Sequence, residues 1–115
     1  MTDKDTQWSV QYTALAREDL KAIVSYIVDE LGEREIAAFM YEKLTKGIRS
    51  LQSLPYRYPV YHEEPWTSKG LRVMKIRKYL VFYYPEEEEL SVSIIRIIYG
   101  GRDISRQLSE TEQYI

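Results

Sequence analysis

Trp8, Val10 and Tyr12 alternate with Ser9 and Gln11, the period of two expected of a short strand with one buried face. The period then changes. Leu20, Ile23, Val24, Ile27, Val28 and Leu31 recur at steps of three and four behind Thr13, which stands in an N-cap position, so a helix is predicted over 14–31. Glu18 and Asp19 lie early in it, where the helix dipole favours anions, and Gly32 suits the residue just past its end. A second stripe, Ile36, Ala37, Met40, Leu44, Ile48, Leu51 and Leu54, predicts a helix over 33–54 that Pro55 ends. Two long helices separated by about two residues form an antiparallel hairpin. Their stripes are wider than a two-helix seam, so the hairpin should lie on a sheet.

Residues 56–68 read as a loop, with Pro55, Pro59 and Pro65 opposing helix and ladder alike and with Tyr56, Tyr58, Tyr61 and Trp66 along it. Three strand-like runs follow: Gly70 to Ile76, Tyr79 to Tyr84 and Leu90 to Tyr99. Only Arg77-Lys78 separates the first two, and these are not favoured hairpin residues. The near-continuous apolar run of the third marks a central strand. Gly100-Gly101 breaks it, and Ile104 to Leu108 can add a short turn of helix. The predicted fold class is therefore α+β, in the order β-α-α-β-β-β, with a helical hairpin packed on one face of a mainly antiparallel four-stranded sheet. The other face, with no helix to cover it, is where function would be sought. The whole chain, 1–115, reads as one domain, with flexible tails at 1–7 and 109–115.

Composition narrows the chemistry. There is no cysteine and one histidine, which excludes disulfides, thiolate sites, a Cys nucleophile and a His-pair metal centre. No cofactor and no metal are expected. No apolar run approaches the roughly 20 residues of a membrane span, and the polar, acidic start, Met1 to Gln7, does not resemble a signal peptide; a cytoplasmic protein without membrane partners is expected. His62 with Glu63 and Glu64, and the run Glu86 to Glu89, read as solvated turns. The net charge of −2 hides a cluster: Lys69, Arg72, Lys75, Arg77 and Lys78 occur with no carboxylate among them. Such a patch suits one focused anionic contact; cations on an edge strand also keep it soluble.

Several segments in this order resemble one family: the strand Trp8 to Tyr12, "YTALAREDLKAIVSYI", "LQSLPYRYP", "GLRVMKIRKYLVFYY", "IIRIIYGGRD" and "ISRQL". The chain is similar, from about Gln7 to Leu108, to the RelE/ParE superfamily of toxins from type II toxin–antitoxin modules. The resemblance implies a growth inhibitor neutralised by a cognate antitoxin. It also implies one of two targets: DNA gyrase, inhibited without nuclease machinery as by ParE-like members, or the ribosome and its mRNA, cleaved without metal as by RelE-like members. Metal-free cleavage needs cations around a phosphate and a proton donor. Arg72, Lys75, Arg77, Arg96 and Tyr99 are the candidate catalytic residues for that case. RelE-like nucleases commonly carry a "YRxxY" pattern where this chain has Tyr79-Leu80-Val81-Phe82-Tyr83, so Leu80 replaces an arginine; Tyr99 stands where many relatives have histidine. These departures favour the gyrase-directed reading. Lys69, Lys75, Arg77, Lys78, Tyr79 and Arg102 are the candidate partner-binding residues.

Overall fold

The computed structural model describes residues 6–101 and 103–112. Its elements are β1 (Ser9–Tyr12), α1 (Ala14–Asp29), α2 (Arg34–Arg49), α3 (Trp66–Lys69), β2 (Arg72–Ile76), β3 (Tyr79–Glu86), β4 (Ser91–Tyr99) and α4 (Ile104–Thr111). Thr13 caps α1 by accepting from the Ala16 N–H at 3.2 Å, and its hydroxyl donates to the Ile94 carbonyl at 2.9 Å. The helix start is thereby tied to β4. Gly32 takes the left-handed conformation, φ 67°, that turns the chain between the helices. Helix α2 stops short of the predicted Leu54. Residues Ser50–Gln52 tighten into a 3-10 turn, and Leu54 is left-handed at φ 47° ahead of Pro55, where a helical residue would crowd the proline ring.

The sheet has the order β1-β4-β3-β2, with β1 parallel to β4 and the other pairs antiparallel. The hairpin is the crossover that makes the parallel pair possible. Helix α1 packs against β4 and α2 against β2. Between hairpin and sheet lie Ile27, Met40, Leu44, Ile48 and Leu51 with Met74, Val81, Tyr83, Ile94 and Ile97, while Leu20 and Ile23 are half-buried at its margin. Three residues expected in this core are exposed instead: Leu31, Ile36 and Leu54. Leu31 and Ile36 flank the interhelical turn, and Leu54 lies in the loop beyond the shortened helix. Gly47 lets α2 approach the sheet; a Cβ there would meet Ile76 Cδ1 at 2.5 Å.

The face expected to be bare is covered. Tyr61, Trp66 and Leu108 pack there on Leu71, Phe82, Ile95 and Ile98. The prolines limit the 55–65 loop to a single 3-10 turn, Pro55–Arg57, yet the loop still docks. The Tyr61 N–H donates to the Leu71 carbonyl at 2.7 Å, the Val73 N–H donates to that of Pro59 at 3.0 Å, and Val60 bridges Arg72. Helix α4 completes the cover. Its eight residues run from Ile104 to Thr111 behind the cap Asp103, whose carboxylate accepts from the Arg106 N–H, so residues 109–111 are helix rather than tail. Val81, Phe82 and Tyr83 alternate between the two cores as a regular strand requires. The pairing shifts register between Phe82 and Tyr83 and leaves Ile95 of β4 as the extra residue, so that Ile94 and Ile97, three apart, face the same core.

Tyr83 shows the energetic cost of such burial. Its hydroxyl donates to the Pro55 carbonyl at 2.6 Å, and desolvation pushes its pKa up to about 12. An unfolded tyrosine ionises near 10. The raised value means that the stabilisation is complete below pH 10 and is lost as pH climbs to 12, at up to about 1.4 kcal/mol per pH unit. Urea unfolding at pH 9, 10 and 11 should show this decline, and Tyr83→Phe should flatten it while costing about 1 kcal/mol at neutral pH. An unchanged slope in Tyr83→Phe would refute the assignment.

Candidate functional site

The candidate catalytic residues point in different directions. Arg72 opens β2 and Arg77 follows its far end, with about 13 Å of strand between Arg72 and Ile76. Arg72 donates to the carbonyls of Tyr56 at 3.1 Å and Tyr58 at 2.6 Å, and lies 5.0 Å from the centre of the Tyr56 ring; it fastens the loop. Lys75 faces the opposite side of the same strand from Arg72 and is exposed. Arg77, at φ 56° in the β2–β3 turn, lies over the Phe39 ring of α2 at 5.2 Å. Arg96 is mostly buried and forks onto Asp19, Nε to Oδ2 at 2.7 Å and Nη2 to Oδ1 at 2.9 Å. Its third nitrogen donates to Thr111 Oγ1 at 2.7 Å and the Gln107 carbonyl at 3.3 Å. The hydrogen bond it donates to Asp19 raises the Arg96 pKa further. Tyr99 is exposed and meets Tyr79 edge to face at 5.7 Å.

The candidate partner-binding residues are also dispersed. Lys69 sits before β2, over the Trp66 ring at 5.2 Å and 3.7 Å from Glu112. Lys78 is exposed in the turn. Tyr79 lies inside a groove, and burial raises its hydroxyl pKa, helped by Tyr99 and Tyr26. Arg102 lies outside the described residues. His62 is exposed, and Glu87–Glu89 form an exposed 3-10 turn. Among the described residues no group of three His, Cys, Asp or Glu side chains could hold a metal ion, and no helix is long and apolar enough to cross a membrane.

Two features escaped the sequence reading. One is Asp19, read there only as a dipole partner. Besides holding Arg96, it accepts the Ile97 N–H at 2.9 Å. Strand β1 pairs with β4 only as far as Ile94, so this carboxylate takes the place of a neighbouring strand farther along. The other is the groove at that unpaired edge, about 660 Å³, walled by Ile23, Tyr26 and Leu31 of the hairpin and by Tyr79, Ile97 and Tyr99 of the sheet. The signal for it was present: Tyr26 is a large aromatic outside the helical stripe.

The family model for the ParE toxin of type II toxin-antitoxin system, parDE, matches residues 10–104. The chain belongs to the ParE toxin family. No curated protein sequence matches it. Solved structures share the fold of this ParE-family toxin. One is the chromosomal ParDE toxin–antitoxin system of P. aeruginosa, 20% identical, with a TM-score of 0.66 over 83% of this chain and 98% of that one. Another is the toxin–antitoxin complex RelBE2 of Mycobacterium tuberculosis, 22% identical, at 0.60 over 85% and 97%. A third is a mutant of the E. coli toxin RelE in the free state, 17% identical, at 0.62 over 95% and 98%.

Proposed function

We propose that this type II toxin arrests growth by inhibiting DNA gyrase without catalysing a reaction, and that a cognate antitoxin neutralises it. The observation that carries this reading is the divergence of the candidate nuclease groups. A phosphorane-like transition state needs its cations and proton donor within a few ångströms of one phosphate. Here Arg72 is spent on loop carbonyls and Arg96 on Asp19, while Arg77 lies on the hairpin and Lys75 on the other sheet face. An inhibitor that works by binding needs no such convergence.

The antitoxin is assigned to the groove beside α1. An unpaired stretch of β4 edge and an adjoining apolar trough suit an added strand or an amphipathic helix. Tyr26, Tyr79 and Tyr99 can contribute ring area and a hydroxyl at once.

The test uses purified toxin in two assays. Supercoiling of relaxed plasmid by gyrase should be blocked, and mRNA on programmed ribosomes should stay intact. Ribosome-dependent cleavage of the mRNA with normal supercoiling would replace this reading with the nuclease one.

A further inference from the structure

The outer face of α2 carries a feature that neither the core nor the groove explains. Phe39 is 47% exposed, and two cations lie over its one ring, Lys43 at 5.4 Å and Arg77 at 5.2 Å. Lys46 lines the same shallow depression, and Lys78 adjoins Arg77 in the turn. Among the described residues none of Lys43, Lys46, Arg77 and Lys78 has a carboxylate oxygen within 4.0 Å. The four come from two elements that the close approach at Gly47 brings together. Arg77 takes a left-handed conformation that asparagine or glycine would hold with less strain. The result is a cationic ledge around an aromatic centre on a chain whose net charge is −2.

We propose that this ledge, Phe39 with Lys43, Lys46 and Arg77, is the surface with which the toxin grips its target, taking an acidic protein surface that presents an apolar side chain to the Phe39 ring. Charge complementarity selects the sign of the partner and speeds its encounter, and a desolvated aromatic with flanking cations has the make-up of a binding hot spot. A protein fits better than a nucleic-acid backbone. Glu35 and Glu42 line the same depression; they repel the continuous charge of a phosphate backbone, whereas a protein can set backbone N–H groups against them and direct its own carboxylates to the cations. The ledge lies on the α2–β2 side of the sheet and the groove on the α1–β4 side, with Tyr79 of the groove two residues from Arg77. Phe39, Lys43 and Lys46 line no part of the groove, so antitoxin binding there does not need them, and an antitoxin held in the groove excludes a target much larger than the toxin by its bulk.

The inference rests on the inhibitor reading for the name of the target, so the test reads two outcomes. The variant Phe39→Ala/Lys43→Glu/Lys46→Glu changes only surface residues. A second variant, Lys43→Arg/Lys46→Arg, keeps the charge. Growth arrest on induction without antitoxin scores the ledge whatever the target is; supercoiling by purified gyrase scores the inhibitor reading. The expected result is loss of growth arrest and about a tenfold or greater fall in gyrase inhibition for the triple variant. Antitoxin affinity should stay within about threefold, and the Arg variant should be active. Undiminished growth arrest by the triple variant would overturn the ledge, as would loss of antitoxin binding together with activity. So would salt-dependent binding of a 20-base-pair DNA duplex that the triple variant abolishes. Wild-type growth arrest with unimpaired supercoiling would instead overturn gyrase as the target, and the growth assay would still decide the ledge.

Discussion

Replacing Asp19 by alanine is expected to destabilise the toxin by about 3–5 kcal/mol, because it leaves the Arg96 charge buried without a counter-ion. The two side chains are only 14% and 12% exposed. Asp19 also holds the Ile97 N–H, so that donor is orphaned too. With an m-value near 1.5 kcal/mol/M, the urea midpoint should fall by about 2–3 M. The effect should be larger than that of Asp19→Asn, which keeps an acceptor for Ile97. Joint replacement, Asp19→Leu/Arg96→Met, should recover much of the loss, since removing both charges spares their desolvation. A midpoint shift below 0.5 M for Asp19→Ala, roughly 0.75 kcal/mol at that slope, would refute a supporting role for the pair.

Phe82→Ala is expected to cost a similar amount, about 3–5 kcal/mol, by opening a cavity in the second core. Phe82 is fully buried and meets the Tyr61 ring edge to face at 5.1 Å. On a solvated sheet face the same truncation would be mild. The informative control is Ile36→Ala. Helical spacing places Ile36 in the core stripe, yet it is 50% exposed, and its loss should stay within about 0.5 kcal/mol. Thermal and urea unfolding of both variants would reveal a reversed order if the second core contributed little.

That contrast shows where the sequence is informative. The order β-α-α-β-β-β is legible because each element carries its own period, two for Trp8 to Tyr12 and three to four for Leu20 to Val28. Thr13, Gly32 and Pro55 supply the punctuation. The second layer is not legible, because its apolar residues, Tyr61, Trp66 and Leu108, stand in a proline-rich loop and two short helices where no period develops. The candidate site was legible as a list of cations and tyrosines but not as an arrangement. Nothing near Arg96 in the chain announces Asp19, 77 residues away. Nothing near Arg77 announces Phe39. A pairing between distant residues leaves no local trace, and such pairings decide which cations are spent on structure and which remain for a partner.

The parallel pairing of β1 with β4 sets the timetable on which this chain can mature. The bond from Thr13 to Ile94 spans 81 residues. A ribosome adding roughly 5–20 residues per second needs about 4–16 s to cover that distance. Throughout that interval the α1–α2 hairpin can form from local contacts, but its apolar stripe has no sheet to rest on and the first strand has no neighbour. The sheet closes only once β4 has been synthesised. A truncated translation product ending before β4 would therefore carry the ledge on α2 without the platform that holds it in shape, and growth-inhibiting activity would arise in one step once β4 is in place rather than by degrees.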